Sequence, residues 1–246
     1  MTPIDPHAGE AIKTAGAPPS VAEGAVVLLH GRGGSPAGIL RLVDEVYHRG
    51  VHYVAPAAAG RVWYPGGFTD PITDRRAAYL ASAFGQVDAA LDVTRSAGVP
   101  PDRVVLAGFS QGAAVALEYA TRRPRRYGGL VALAGGLLGP PARFDEHEQF
   151  RGFGQSSGSE RFDPPEPSAL SEHLDPPVGS LERTPAFCGV GIEDPTISVD
   201  HVDATARVLS AMDAETTVET YPGLGHAIGD GEMAALNRLI GAVSPD

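Results

Sequence analysis

The sequence predicts an α/β fold in which a mostly parallel central sheet carries helices on both faces. From Ala25 onward, short apolar runs alternate with longer amphipathic stretches. The runs are almost continuously apolar, which is typical of strands buried on both faces of a parallel sheet. Alternation of strand and helix favours right-handed crossovers within one sheet. Because the alternation never breaks cleanly, we expect residues 1–246 to form a single domain.

The predicted strands are short. The last one alternates polar and apolar residues, as an edge strand does. Ahead of them, residues 1–24 are rich in Pro, Gly, Ala and Ser and predict a loose N-terminal arm, in which Ala11–Ala15 could add a short edge strand. The apolar runs are Val26–Leu29, Val51–Val54, Val104–Ala107, Leu130–Ala134, Ala186–Val190 and Thr216–Tyr221.

Amphipathic stretches between these runs predict the helices. Residues 139–183 break the rhythm, because they lack periodicity and contain many prolines. Long irregular segments within a compact domain are usually lids, binding loops or disordered excursions, so a lid is one expectation for this segment. The predicted helices are Pro36–Arg49, Arg75–Ser96, Gln111–Arg122, Val199–Met212 and Gly231–Ala242.

Composition narrows the classes of partner and compartment. The formal net charge of −11 argues against nucleic acid as a partner and against docking on an anionic membrane. Cys188 is the single cysteine, so no intrachain disulfide can form. No apolar stretch is long enough to cross a bilayer, and no basic cluster followed by an apolar run suggests a secretory signal. We therefore expect a cytoplasmic protein without integral membrane association.

The sharpest local signal is Gly108-Phe109-Ser110-Gln111-Gly112, which lies directly between a predicted strand and a predicted helix. A serine on so tight a turn needs a strained backbone, and side chains two residues away on either side would clash. The turn exposes the hydroxyl at the carboxyl end of the sheet, beside the N-terminus of the following helix. The alternative is that Ser110 only caps this helix. The flanking glycines favour a nucleophile elbow of the α/β-hydrolase fold, with Ser110 as the nucleophile.

A serine hydroxyl needs a base to remove its proton. His226, in Gly223-Leu224-Gly225-His226, follows the last strand and precedes the last helix, where the hydrolase order of serine, acid and histidine requires it. The alternative is a surface-loop histidine. His30, at a strand end before Gly31, is better interpreted as a structural residue.

The histidine in turn needs a carboxylate to fix its tautomer. Asp194 lies just beyond the apolar run Ala186–Val190 and is the predicted acid. Glu193 is the direct rival, because a one-residue difference in the turn would exchange the two. Asp200 and Asp203 lie where a helix should begin and are better explained by capping or by the helix dipole.

A glycine-rich loop, His30-Gly31-Arg32-Gly33-Gly34-Ser35, follows the first buried strand. Such a loop can hold the oxyanion of an acyl-transfer reaction, with the backbone N–H groups of Arg32 and Gln111 as the two predicted donors. A phosphate-binding loop is the alternative. It fits poorly, because no Gly-Lys-Ser/Thr follows and position 36 is a proline.

Taken together, these motifs resemble the phospholipase/carboxylesterase family of α/β-hydrolases, which includes acyl-protein thioesterases and small bacterial carboxylesterases. The resemblance spans roughly residues 26–240, with the motifs in the family's order. The matching motifs are Leu29-His30-Gly31, Trp63-Tyr64-Pro65 with Phe68, Gly108–Gly112 with Ala113, Gly191–Pro195, and Tyr221–His226.

The resemblance implies hydrolysis of carboxylic esters or thioesters, a small-molecule ester substrate of short to medium acyl chain, no cofactor, and a homodimer. It departs from the family in two places: Arg32 stands where leucine is common, and residues 139–183 form a longer connection than in small members. Candidate apolar walls of the substrate cleft are Trp63, Tyr64, Phe68 and Leu137, with core packing as the alternative for some of them.

Two other functions use the same residues. The triad could transfer an acyl group to an acceptor such as peroxide, or the scaffold could be a non-catalytic binding protein. A receptor has no use for a strained elbow, which speaks against the second. A metal site is not expected, because the sequence has neither His-Glu-x-x-His nor a Cys/His cluster.

Overall fold

A computed structural model describes residues 5–140 and 179–244. Its centre is a seven-stranded sheet with the strand order β1-β3-β2-β4-β5-β6-β7. β1 pairs with β3 in the antiparallel sense, and every other pairing is parallel. The strands are β1 (Ile12–Gly16), β2 (Gly24–Leu29), β3 (Val51–Pro56), β4 (Val104–Phe109), β5 (Gly129–Leu133), β6 (Pro185–Gly191) and β7 (Glu215–Tyr221).

Every predicted strand is confirmed, including the short edge strand near the N-terminus and the alternating edge strand β7. The two edges differ in burial from the centre: β2 is buried along its whole length, whereas β7 is partly exposed. This follows from the sheet order, because central strands are covered on both faces. One sheet draws strands from both described stretches, which fits the expectation of a single domain without testing it.

Helices cover both faces of the sheet. They are α1 (Pro36–Ile39), α2 (Asp74–Ser96), α3 (Gln111–Arg122), α4 (Val199–Ala211) and α5 (Asp230–Val243). Alternate residues of β2 belong to different cores: Val27 and Leu29 pack with α2, α3 and α4, and Val26 and Leu28 pack with α1 and α5. The period of two in the strand thus builds an apolar layer on each face. This is the α/β-hydrolase arrangement that the sequence predicts.

The helix predicted over Pro36–Arg49 is wrong in its extent. α1 is a single turn, capped by Ser35 Oγ, which accepts from Gly38 N at 3.2 Å, and a 3₁₀ helix continues it over Leu40–Asp44. Beyond it, the Tyr53 hydroxyl donates to Val46 O at 2.6 Å and accepts from His48 N at 3.1 Å. Because the Tyr53 side chain takes these backbone groups, a continuing helix cannot use them.

The prediction of a loose arm is also wrong for the described residues 5–24. His7 is fully buried. Its backbone N–H donates to Ser82 Oγ at 2.8 Å, and its carbonyl accepts from Gln86 Nε2 at 2.7 Å. Two side chains of α2 therefore hold this segment on the domain surface. The segment 139–183 lies mostly outside the described residues, which end at 140 and resume at 179.

None of the helices in the described ranges is long and apolar enough to span a membrane.

Candidate active site

Ser110 sits on a strained turn between β4 and α3. Its backbone has φ 53° and ψ −118°, a conformation that non-glycine residues rarely adopt. A Cβ on Gly108 would lie 2.3 Å from the carbonyl carbon of Gly112, and one on Gly112 would lie 2.1 Å from Leu29 O. Only glycine fits at either position, because the obstructing atoms belong to the backbone. The strain expected of the Gly108–Gly112 turn is therefore present.

The Ser110 side chain makes a hydrogen bond with His226 and does not cap α3, the helix that follows it. Ser110 Oγ and His226 Nε2 are 2.8 Å apart. His226 Nδ1 lies 2.8 Å from Asp194 Oδ2 on the other side of the ring. The three side chains come from the connections after β4, β6 and β7, which end at the same edge of the sheet. A hydroxyl, an imidazole and a carboxylate are thus in one hydrogen-bonded line.

Asp194, rather than Glu193, is the residue that reaches the histidine. The Asp194 side chain is fully buried, and its Oδ1 accepts from Thr196 N at 2.7 Å and from Ile197 N at 3.2 Å. Glu193 is exposed. The two backbone donors fix one carboxylate oxygen, so the other is held toward the imidazole.

The loop after β2 packs directly against the elbow. A Cβ on Gly31 would lie 2.8 Å from the Phe109 ring, and Gly34 N donates to Gly31 O at 2.9 Å. Within the residues that the structure describes, the backbone N–H groups of Arg32 and Gln111 donate to no hydrogen-bond acceptor. Gln111 is also the first residue of α3, where the helix dipole is positive. Both predicted donors are therefore available to a developing negative charge.

His30 supports this loop from inside. Its Nε2 accepts from Ala58 N at 3.2 Å, which leaves Nδ1 as the donor to Gly31 O at 2.8 Å. Burial lowers the pKa of the His30 imidazole below its ordinary value, because desolvation disfavours the charged ring. The ring is therefore a neutral structural support.

The four predicted cleft residues are all buried. The Trp63 indole is fully covered, and its N–H donates to His30 O at 2.7 Å. Phe68 O accepts from Gly139 N at 2.9 Å, and Leu137 O lies 2.6 Å from His201 Nε2. The Arg76 guanidinium carbon lies over the Tyr64 ring, 4.9 Å from the ring centroid. These residues join the loops around the elbow, and a direct contact with substrate stays a prediction.

Several buried polar side chains that support the site were not predicted. The Gln111 side chain accepts from Trp63 N at 3.2 Å and donates to Tyr64 O at 2.8 Å. Arg76 is buried and donates to Gly67 O and Asp70 O, each at 2.6 Å. Both side chains hold backbone carbonyls of the loop after β3. No local pattern marks them, because their partners are distant loop atoms.

Glu232 is a third unpredicted side chain, on the histidine side of the site. It is fully buried near the start of α5, and its Oε2 accepts from Gly229 N at 3.0 Å. Desolvation raises the pKa of this carboxyl, and the nearby Asp194 charge adds to the effect. Glu232 lies three positions after the N-cap residue Gly229, where a Glu side chain can cap the helix. Because the N-cap is glycine, the usual sequence signature of a capping box is incomplete here.

Among the described residues, no cluster of three or more His, Cys, Asp or Glu side chains could hold a metal ion.

Comparison with known proteins identifies the family. Residues 10–152 match the family described as Phospholipase/Carboxylesterase. The chain belongs to this family. A crystal structure of a phospholipase/carboxylesterase from Dyadobacter fermentans superposes with a TM-score of 0.75 at 31% identity, covering 94% of this chain and 96% of that one.

Curated relatives are more distant. The putative esterase NocK of Nocardia uniformis is 28% identical over 84% of this chain, and acyl-protein thioesterase 1 of Aspergillus fumigatus is 27% identical over 60% of it. The matches cover 63% and 50% of those two proteins, respectively, so the phospholipase/carboxylesterase chain described here spans between about half and two thirds of their length.

Proposed function

We propose that this protein is a serine hydrolase that cleaves carboxylic esters of short- to medium-chain acyl groups through an acyl-enzyme. The observation that carries the proposal is the line from Ser110 Oγ through His226 to Asp194, with 2.8 Å at each step. The names of relatives, which include esterase and thioesterase, support the same chemistry. A small-molecule ester or thioester is the substrate, and the homodimer stays a proposal.

In the first half-reaction, Ser110 Oγ attacks the ester carbonyl carbon while its proton passes to His226 Nε2. The carbonyl oxygen becomes an oxyanion in front of the N–H groups of Arg32 and Gln111. When the tetrahedral intermediate collapses, the bond to the alcohol oxygen breaks and His226 gives that oxygen the proton. Each oxyanion donor of this kind contributes about 3–4 kcal/mol to the transition state.

In the second half-reaction, His226 takes a proton from water, and the water oxygen attacks the acyl carbon on Ser110. Collapse of this intermediate breaks the bond to Ser110 Oγ, which recovers the proton from His226. A carboxylic acid leaves, and the enzyme returns to its starting state. Asp194 keeps its charge throughout and stabilises the imidazolium that forms twice per turnover.

A non-catalytic role is less well supported. A φ of 53° at Ser110 costs conformational free energy. The same turn also requires glycine at Gly108 and Gly112, where a Cβ has no room. A protein that only bound a ligand would gain nothing from that strain.

The test is hydrolysis of para-nitrophenyl esters, from acetate to palmitate, by the parent protein and by Ser110→Ala. We expect the parent to turn over and the variant to lose the activity, with an optimum among the shorter chains. Ser96→Ala is the matched control, because Ser96 is exposed at the end of α2, away from the site.

Equal turnover by Ser110→Ala and the parent would refute the assignment. If no ester is hydrolysed, a fluorophosphonate probe on the folded protein decides the matter. Labelling at Ser110 would support an activated serine with a different ester preference, and absence of labelling would overturn the proposal.

A further inference from the structure

Two exposed arginines, Arg32 and Arg61, lie on neighbouring loops beside the predicted oxyanion donor. Arg32 is in the loop after β2, and Arg61 is in the connection between β3 and α2; both are exposed. Gly33 N donates to Arg61 O at 2.8 Å, and the Arg61 guanidinium donates to Gly33 O at 3.4 Å. These two bonds hold the connection against the loop that supplies the predicted oxyanion donor.

The Arg32 guanidinium is close to the nucleophile's neighbour. Its Nη2 donates to Gly66 O and, at 3.4 Å, to Tyr64 O. Tyr64 O also accepts from Gln111 Nε2 at 2.8 Å. One carbonyl oxygen therefore separates the cation from the side chain of Gln111, the residue directly after Ser110. This chain of hydrogen bonds links the Arg32 guanidinium to the residue that follows the predicted nucleophile.

The hydrogen-bond partners that the structure gives these two guanidinium groups are uncharged backbone carbonyls. No carboxylate among the described residues lies within ion-pair distance of Arg32 or Arg61. Asp70, in the neighbouring loop, directs its Oδ2 to Gly67 N at 2.8 Å. In a chain with a net charge of −11, acidic partners are abundant, yet these two cations have none in the described structure. Guanidinium groups of this kind match carboxylates in a bidentate geometry.

We propose that Arg32, assisted by Arg61, binds a carboxylate of the substrate, so that the preferred substrates are esters that carry a negative charge. The inference rests on the proposed ester hydrolysis and adds a substrate class to it. The Arg32 backbone and side chain have separate tasks: the N–H faces the oxyanion, and the guanidinium faces the substrate carboxylate.

The experiment compares charged and neutral esters in matched pairs. The acyl-side pair is the mono-para-nitrophenyl ester of adipic acid and para-nitrophenyl hexanoate. The alcohol-side pair is para-acetoxybenzoate and para-acetoxybenzamide. The measured quantity is the ratio of kcat/KM for the anionic ester to that for its neutral partner, after subtraction of spontaneous hydrolysis. The pair with the larger ratio shows which side of the ester carries the recognised carboxylate.

Arg32→Gln should lower that ratio by at least about fivefold, because a charge-assisted hydrogen bond is lost. Arg32→Lys should give an intermediate ratio, since the charge remains but the planar fork is gone. Arg61→Gln should lower the ratio less than Arg32→Gln. Arg49→Gln, at the opposite end of β3, removes the same charge far from the site and should leave the ratio unchanged.

Salt gives a test that needs no variant. If only the overall negative charge acted on an anionic ester, added NaCl would screen repulsion and raise its kcat/KM. Binding by Arg32 predicts the reverse, a fall with salt for the anionic ester and little change for the neutral one. This measurement still decides the matter if Arg32→Gln fails to fold.

An unchanged ratio in Arg32→Gln, an equal loss for both esters of a pair, or a rise with salt would overturn the inference. In each of those cases, parent turnover of the neutral esters would leave the proposed function standing. Failure of the proposed function is a different result, in which the parent hydrolyses no ester and Ser110 resists the fluorophosphonate.

Discussion

Residues 108–112 and residues 222–229 both form glycine-rich turns at the carboxyl edge of the sheet, one carrying Ser110 and the other leading to and from His226. In the first turn, a Cβ on Gly108 or Gly112 would meet backbone at 2.3 or 2.1 Å. In the second, a Cβ on Gly225 would have its nearest neighbour, Glu193 O, at 3.8 Å, and one on Gly223 would have nothing within 4 Å.

The difference separates two ways of placing a reactive group. The Ser110 elbow is fixed by close packing, and the serine is only 6% exposed. The histidine loop has space around Gly223 and Gly225 and a His226 side chain that is 24% exposed, so the ring is held mainly by its hydrogen bonds, with a contact to the Phe109 ring beside them. We therefore expect the elbow to respond to added volume and the histidine loop to respond to the loss of a bonding partner.

The largest expected effect is on the bond that holds His226. Asp194→Asn should lower kcat by about 10⁴-fold, because an amide cannot fix the productive tautomer or stabilise the imidazolium. The free energy of unfolding should change by much less than the activation free energy of the reaction. Steady-state kinetics with a short para-nitrophenyl ester, together with urea unfolding, measure both quantities.

Glu193→Gln is the matched control, since Glu193 is the adjacent exposed carboxylate. It should retain the parent kcat within a factor of about two, as surface substitutions usually do. An Asp194→Asn variant with more than a tenth of the parent activity would contradict the hydrogen-bonded placement of the ring.

The next effect concerns volume in the elbow. Gly112→Ala should destabilise the fold by about 3 kcal/mol, because its Cβ would collide with Leu29 O, a backbone atom that can shift only together with the loop that follows it. The shift would also displace the oxyanion loop, so activity should fall with stability. Urea unfolding measures the first effect and esterase kinetics the second. Parent-like stability would show that the elbow can relax.

These contrasts also indicate what the sequence could predict. The elbow was predictable because strand, serine and glycines are adjacent in the chain. The order of the connections favoured an acid just after β6, but it could not by itself separate Asp194 from its neighbour Glu193. The burial of His7 was not predictable, because its partners lie as far away as Gln86. The truncated helix after Pro36 was missed for the same reason, since the Tyr53 hydroxyl takes the backbone groups of Val46 and His48.

The buried His30 beside the elbow also predicts that the free energy of unfolding depends on pH. Because burial lowers the pKa of His30 from its ordinary 6.5, the unfolded chain binds a proton that the folded chain does not as the pH falls below that value. Stability should therefore fall on acidification, by up to about 1.4 kcal/mol per pH unit for this group, until the folded pKa is reached.

The check is the free energy of unfolding in urea between about pH 5 and pH 8 for the parent and for His30→Gln. The variant will be less stable throughout, because it loses the bonds to Ala58 and Gly31. The plot of its unfolding free energy against pH should nevertheless be flatter than the parent's on the acid side and parallel to it above about pH 8. Equal slopes below pH 6.5 would show that His30 does not resist protonation.

The smallest expected effects are those of substitutions in the histidine loop, which test most directly whether the two turns differ. Gly225→Ala should change the free energy of unfolding by less than about 0.5 kcal/mol, because its Cβ would enter free space. Gly223→Ala should cost about 1 kcal/mol despite equal space, since Gly223 has a φ of +78° that alanine adopts poorly. Urea unfolding measures both, and kcat should stay near the parent value as long as the bond from His226 to Asp194 survives. If Gly225→Ala instead proved as damaging as Gly112→Ala, close packing would govern both turns, and hydrogen bonding alone could not explain how the histidine is held.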